Sequence, residues 1–541
     1  MNKLSKYIFV IFSVISVMTI GGCIKNDIPY SVEKMYITSL TAEGVIGTPV
    51  IDANNMTVTL ELEEVTDIRN VNITSVSYSE KATPSVDIVG RHDMRNPLEV
   101  TLSLYQDYVW QILAKQNITM EFSVEGQIGA TEWDVEKHTA TVYVGSEDHS
   151  NIEVTALKLG PEGISTYQWA DGIDKNDFSS VRYVYVTYHG RTERWSLYVK
   201  TTEVKVNITK ADGWAKIMWL YGDGISGTDL GFKYRLAGDD DWTEVSDVEV
   251  NGGSFTARVG GLLPNTEYEV MAYSNDDVSA ITKVTTEGIL SLENGGFEQW
   301  ETIRKIVCPY ISDETAYWGT GNPGAATVNA TVTDKCDDIR PGSDGKYSAR
   351  LESMFANLAG IGKFAAGNLF IGKYVKTVGT NGIVAFGQKF NARPTALKFW
   401  MKYNCGDIDK IGNLPIGSTL QMGDPDTGSI YIALGTWTAD KYGVDADGVV
   451  MGTADSPVII DTRNHSTFFD PKSEAVVAYG EILLNKSIGE WTEVVIPLNY
   501  TSTSVVPTHI AIVCSASRLG DYFTGSTKSV MWLDDMELIY E

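Results

Sequence analysis

EGVIGTPVIDANNMTVTLEL, residues 43–62, reads again 82 residues further on as EGQIGATEWDVEKHTATVYV, residues 125–144. Each copy ends in a run of period two, MTVTLEL (56–62) and TATVYV (139–144). Side chains along an extended strand point alternately to opposite faces, so this alternation predicts strands with one buried face. A second pair keeps nearly the same spacing, VWQILAK from Val109 and RWSLYVK from Arg194, 85 residues apart. The chain therefore opens on two homologous β units, and the repeated Trp110 and Trp195 read as their core residues.

The same texture continues outward through SVRYVYVTY (180–188), and long stretches of helical period are scarce beyond the first twenty residues. The fold class is all-β. The two repeats, 34–117 and 118–202, resemble immunoglobulin-like sandwiches. A third module, 203–288, carries WAKIMWL (214–220), GFKYRLAGDDDWTEV (231–245) and GGLLPNTEYEVMAYS (260–274). It resembles fibronectin type III, with Leu263 to Tyr268 as that fold's tyrosine corner, a structural device.

A length of 541 residues exceeds what one core supports, and 43% hydrophobic with 21% charged residues is ordinary for globular domains. The net charge of -27 excludes nucleic acid as a partner, because binding to phosphate backbones rests on Lys and Arg. At the N-terminus Lys3 and Lys6 precede an apolar run from Tyr7 to Ile20, shorter than the ~20 residues a spanning helix needs, so residues 1–22 read as a signal peptide. TIGGC, ending at Cys23, resembles the lipobox of bacterial lipoproteins, which implies a lipidated Cys23, a linker at 23–33 and membrane attachment through the lipid only. That places the protein in the cell envelope at the outer membrane, on its surface or its periplasmic face. Of the four other cysteines, Cys514 reads as a buried thiol within a strand, and Cys308 with Cys336 is the candidate disulfide.

From residue 289 the strands are separated by longer Gly- and Asn-rich loops, the usual location of binding residues. NGGFEQW (294–300), YWGTGNPG (317–324), GKYSARLES (345–353), FAAGNLFIGKY (364–374), FNARPTALKFWMKY (390–403), SIYIAL (429–434) and SRLGDYFTGSTKSVMWLDDMELIY (517–540) follow in order. Together they resemble PCMD, a carbohydrate-metabolism domain of Bacteroidetes lipoproteins, and the ends resemble carbohydrate-binding jelly rolls. The resemblance implies a β jelly roll over 289–541, a carbohydrate or polysaccharide partner and a place in a glycan-uptake complex. In such a sandwich the first and last strands lie side by side, which brings Glu298 near Asp534 or Asp535. Converging carboxylates call for a cation, so a structural Ca²⁺ held by Glu298 and Asp535 is expected; the other reading is a carboxylate accepting backbone N–H groups.

Sugar binding needs flat aromatic rings and polar groups for the hydroxyls. Trp400 shares a strand face with Lys398 and Lys402, while Trp318 and Trp437 stand in loop-like contexts, and each has core packing as its alternative. Asp521 and Tyr522, in GDYFTGS (520–526), offer a hydrogen-bonding wall or a plain turn. Glycoside hydrolysis on the same domain would need a pair of carboxylates, for which Asp424, Asp426, Glu352 and Asp521 are candidates, with no spacing that singles out two. Zinc-protease, nucleophile-elbow and phosphate-loop motifs do not occur, and DADG (445–448) reads as an Asp-Gly turn rather than a calcium loop. The expected function is an envelope-anchored glycan-binding protein, with a glycoside hydrolase or a surface adhesin as alternatives.

Overall fold

The computed structural model describes residues 34–541 apart from 54, 171–174, 359, 360 and 416; the signal segment and Cys23 lie outside the described residues. Among the described residues no helix is long and apolar enough to cross a membrane. Four β-sandwiches follow one another along the chain.

The first two repeat each other down to the backbone. Thr57–Leu62 pairs in parallel with Asp107–Gln116, Thr57 opposite Gln111, and Thr139–Val144 pairs in parallel with Arg191–Thr201, Thr139 opposite Ser196. The left-handed positions coincide as well. Gly44 and Gly126 have φ +71° and +69°, and Met56 and His138, non-glycine residues in that uncommon region, have φ 53° and 52°. Trp110 and Trp195 are fully buried at the centres of the two cores. The third sandwich packs a four-stranded against a five-stranded sheet, and the N–H of Leu263 donates to the Tyr268 hydroxyl at 2.9 Å, closing the tyrosine corner.

The C-terminal sandwich is built on eleven principal strands: β1 (Thr333–Cys336), β2 (Ser348–Glu352), β3 (Asn368–Val378), β4 (Asn381–Phe386), β5 (Ala396–Asn404), β6 (Gly428–Gly435), β7 (Val458–Asp461), β8 (Val476–Leu484), β9 (Ile488–Pro497), β10 (His509–Ser515) and β11 (Val530–Ile539). The front sheet runs β7-β4-β3-β10-β6-β8 and the back sheet β1-β2-β11-β5-β9. Alternation assigns the faces. Ile430, Ile432 and Leu434 of β6, with Ile510, Ile512 and Cys514 of β10, point inward against Leu397, Phe399 and Met401 of β5 and Met531 and Leu533 of β11. Ala215 of the third sandwich joins this core.

The third and fourth sandwiches are bolted by Arg393, only 5% exposed. Its Nε donates to Glu287 Oε1 at 2.8 Å, its Nη2 donates to the Gly213 carbonyl at 3.1 Å, and its Nη1 donates to the carbonyl of Thr503. The guanidinium lies 5.4 Å from the Trp214 ring centre, and the Trp214 indole N–H donates to the same Thr503 carbonyl at 2.9 Å.

The expected disulfide is not formed: Cys308 and Cys336 are free thiols. The Asn322 side-chain amide ties their neighbourhoods together instead, donating to the carbonyls of Val307 at 2.8 Å and Thr333 at 2.6 Å. Removing one partner of a buried ion pair costs about 3–5 kcal/mol because the other charge is stranded. Arg393→Ala is therefore expected to lower the denaturation midpoint of the chain substantially, and adding Glu287→Gln to recover part of the loss. A midpoint equal to wild type in the single variant would refute the bolt.

Candidate functional site

The face of the front sheet turned away from the core carries a different set of residues from its inner face. Across β3, β10, β6 and β8, Phe370, Val513, Tyr431 and Glu481 stand opposite one another in one row. Asn368, Ser515 and Ser429 form the adjacent row, and Tyr479 follows Glu481 on β8 at the i−2 position, hence on the same face. These rows form the floor of a cleft of about 830 Å³.

One wall is the segment 462–475, which lays Phe469 parallel to Tyr431, ring centres 5.1 Å apart and planes 19° apart. Phe468 meets Tyr522 edge-on at 5.0 Å, joining this wall to the segment after β10. Another wall is the hairpin Met354–Leu358 and Ile361–Ala365, where the Lys363 ammonium lies 3.6 Å from the Phe523 ring centre.

The segment after β10 brings Arg518, Asp521 and Tyr522 to the cleft. It is anchored by a buried carboxylate. Asp426 Oδ2 accepts from the Ser517 hydroxyl (2.6 Å), the Ser526 N–H (2.8 Å) and the Ser529 hydroxyl (2.7 Å), so both ends of the 517–529 loop converge on one oxygen. Burial nevertheless raises the Asp426 pKa, with these donors opposing the shift. Gly520 matters for close approach: a Cβ there would stand 2.5 Å from Ala366 Cβ, so only glycine lets the turn settle against the residue that follows the hairpin.

Asp521 itself is open to the cleft and has no hydrogen bond or ion pair with another described residue. The protein mass around it disfavours the charge and pushes its carboxyl up to about 6. Glu481 Oε1 lies 3.7 Å from Arg518 Nε. Charge on both Asp521 and Glu481 bears on the Tyr431 phenol, whose pKa is raised chiefly by burial.

Of the residues the sequence singles out for sugar contact, Asp521 and Tyr522 line this cleft and the three tryptophans do not. Trp318 is fully buried, its indole N–H donating to the Glu293 carbonyl at 2.8 Å, because the Gly-rich flanks that resemble a loop enclose a short core strand. Trp437 is 3% exposed and packs behind the cleft wall against Phe469. Trp400 does face outward with its lysine neighbours, but from the back sheet, and the Arg340 guanidinium lies over its ring at 5.3 Å. Among the candidate acids, Asp426 is the loop anchor, Glu352 pairs with Arg350 at 2.7 Å, and Asp424 accepts the Gln421 N–H at 2.8 Å. Asp445 folds DADG into a turn, its Oδ1 accepting from the N–H groups of Asp447 and Val449.

The expected calcium corner is closed by protein groups. Glu298 is exposed, and its carboxylate accepts the Lys346 N–H at 2.9 Å on both oxygens and the Tyr347 N–H at 3.0 Å. Asp535 takes Arg340 Nε at 2.5 Å, and the buried Asp534 accepts the Arg340 N–H at 2.9 Å. Arg340 is thus the cation of this corner, and among the described residues no group of three His, Cys, Asp or Glu side chains is placed to hold a metal. The residues present do not fit the ion.

Tyr431, Tyr479, Glu481 and Arg518 are absent from the sequence-level set. The signal for three of them lay in the strands: Tyr431 interrupts SIYIAL, and Tyr479 and Glu481 interrupt VVAYGEILL, each at the polar phase of an apolar run.

Residues 296–539 match the family model described as "Putative carbohydrate metabolism domain", PCMD. This segment is a PCMD domain, and the match supports a carbohydrate-related function. No curated protein matches the chain. Among solved structures, the chain is similar to one described as a putative glycoside hydrolase from Bacteroides thetaiotaomicron, at 16% identity, 95% coverage of this chain and 98% of that one, TM-score 0.30. A second, described as a putative glycoside hydrolase from Bacteroides vulgatus, is 21% identical over 46% of this chain and 97% of that one, TM-score 0.31. The tandem CBM22 domains of a Paenibacillus barcinonensis protein align at 9% identity over 77% of this chain and 98% of that one, TM-score 0.19.

Two outcomes test the site's construction. Asp426→Ala should expose the 517–529 loop to proteolysis and lower the melting temperature, whereas Asp521→Ala, which loses no partner among the described residues, should leave both unchanged. Chelation should not shift the melt, whereas Arg340→Ala should lower it; a chelator-sensitive melt would restore the calcium reading.

Proposed function

We propose that this protein is a lipid-anchored glycan-binding protein of the cell envelope and that the front-sheet cleft of its PCMD domain is the binding site. The observation that carries the proposal is the composition of that cleft. Aromatic rings line a concave face together with the Asp521 carboxylate, which no other described residue occupies, and that combination suits a sugar's apolar ring faces and outward hydroxyls. The PCMD match supports the ligand class. TIGGC supports attachment through Cys23 at the outer membrane with no membrane contact beyond the lipid, and the PCMD resemblance supports a place beside a glycan importer.

Affinity electrophoresis against neutral plant and host polysaccharides tests the binding. Wild-type protein should be retarded, and Tyr431→Ala and Tyr522→Ala should each weaken retardation about tenfold or more with a smaller effect on the melt. Because Asp521 is neutral below about 6, affinity should fall as pH drops through that value, and Asp521→Asn should remove the inflection. Cys23→Ser should release the protein from the membrane fraction. No retardation by any polysaccharide would refute the reading.

A second reading, hydrolysis, is favoured by one observation. Two carboxylates face the cleft in unlike surroundings, Asp521 with a raised pKa and no partner among the described residues and Glu481 ion-paired to Arg518, a contrast that separates acid from base roles in glycosidases. New reducing ends, lost in Asp521→Asn, would establish it; retardation without product establishes binding alone.

A further inference from the structure

The two repeats share a backbone register but not an outer face. In the second sandwich, Thr139–Val144, Arg191–Thr201 and Arg182–Tyr188 lie side by side and turn Val142, Trp195, Leu197 and Val184 into the core. Alternation sends Tyr143, Tyr198, Tyr183 and Tyr185 to the opposite face with Arg194 and Lys200. Tyr185 and Tyr198 are 38% and 36% exposed. At the positions equivalent by register the first sandwich holds Glu61, Leu113, Glu99 and Thr101, and Val109 stands in place of Arg194. The same fold is built without the tyrosines, so core packing does not require them.

The face also departs in charge from the chain, whose net charge is -27. Among the described residues neither of its two outward cations is ion-paired. The Arg194 guanidinium lies 4.7 Å from the Tyr183 ring centre and the Lys200 ammonium 5.9 Å from that of Tyr143. Of the acids on this face, Asp134 is paired with Lys137 at 2.6 Å and Glu132 accepts the Tyr143 hydroxyl at 3.2 Å. Arg194 and Lys200 mark the two ends of a strip along one strand, about 20 Å apart, with Tyr198 between them and Tyr185 directly opposite Arg194.

We propose that this strip binds a linear polysaccharide carrying uronate groups, at a site separate from the cleft. Tyrosine rings offer apolar planes to the faces of sugar rings, and their hydroxyls reach polar groups at the rim. An Arg guanidinium takes a carboxylate through two parallel N–H donors, and a Lys ammonium takes one as a point charge. A polymer whose carboxylates repeat along its length can meet both cations while its rings lie over the tyrosines between them, so stacking and charge complementarity act on the same chain. Because the strip lies on a different domain, its occupancy depends on neither Asp521 nor Tyr431.

Isothermal titration of the detergent-solubilised full chain with oligogalacturonate and oligoalginate tests the proposal, with poly-glutamate as a polyanion that has no sugar rings. At least one oligouronate should bind at least tenfold more tightly than poly-glutamate, and its affinity should fall as salt rises. Tyr198→Ala, and separately Arg194→Gln combined with Lys200→Gln, should each weaken it tenfold or more at an unchanged melting temperature, whereas Tyr431→Ala should leave it as in wild type. Poly-glutamate bound as tightly would make an acidic protein surface the partner and overturn the proposal. Binding kept in the strip variants and lost in Tyr431→Ala would move the uronate to the cleft and overturn it too, as would binding of neither oligouronate. None of these three results bears on the cleft's binding of neutral glycans.

Discussion

A single buried oxygen, Oδ2 of Asp426, governs the shape of the candidate site. Hydrogen bonds from Ser517, Ser526 and Ser529 converge on it, and these three residues bracket the loop that carries Asp521 and Tyr522. Burying a carboxylate is unfavourable unless its lone pairs are satisfied, so the charge and the three donors depend on one another. Withdrawing the carboxylate would leave the Ser526 N–H and the Ser529 hydroxyl without their acceptor and the Ser517 hydroxyl with only Ser353, and the loop would lose its reason to return to the sandwich.

The front sheet serves core and cleft at once. Its strands place Ile430, Ile432 and Leu434 in the core and Ser429 and Tyr431 on the opposite face, so the packing that stabilises the domain also fixes the cleft floor. Strand register then sets which side chains meet: a slip of one residue on β8 would remove Glu481 from the cleft and bury it. The walls come from loops and a hairpin, where sequence can vary without disturbing the floor. Arg393 fixes this domain against the third sandwich through Glu287, Gly213 and Thr503.

Local patterns were readable wherever the chemistry is local. Period-two runs gave strands, the repeat at 43–62 and 125–144 recurs as matching left-handed backbone positions, and GDYFTGS supplied two cleft residues. What could not be read depended on distant segments. The flanks of Trp318 and Trp437 suggest loops, but burial is decided by strands that arrive from elsewhere in the chain. Trp400 faces outward, as its lysine neighbours imply, yet nothing local says which sheet it belongs to or that Arg340 covers it. The corner at Asp534 and Asp535 needed positive charge, and the sequence could not show that Arg340, almost 200 residues upstream, supplies it.

The most direct test of the account is a crystal structure of the protein with a bound neutral oligosaccharide. Sugar density over Tyr431, with hydroxyls donating to Asp521, is the predicted result. Density on the back sheet over Trp400, with the cleft empty, would contradict it.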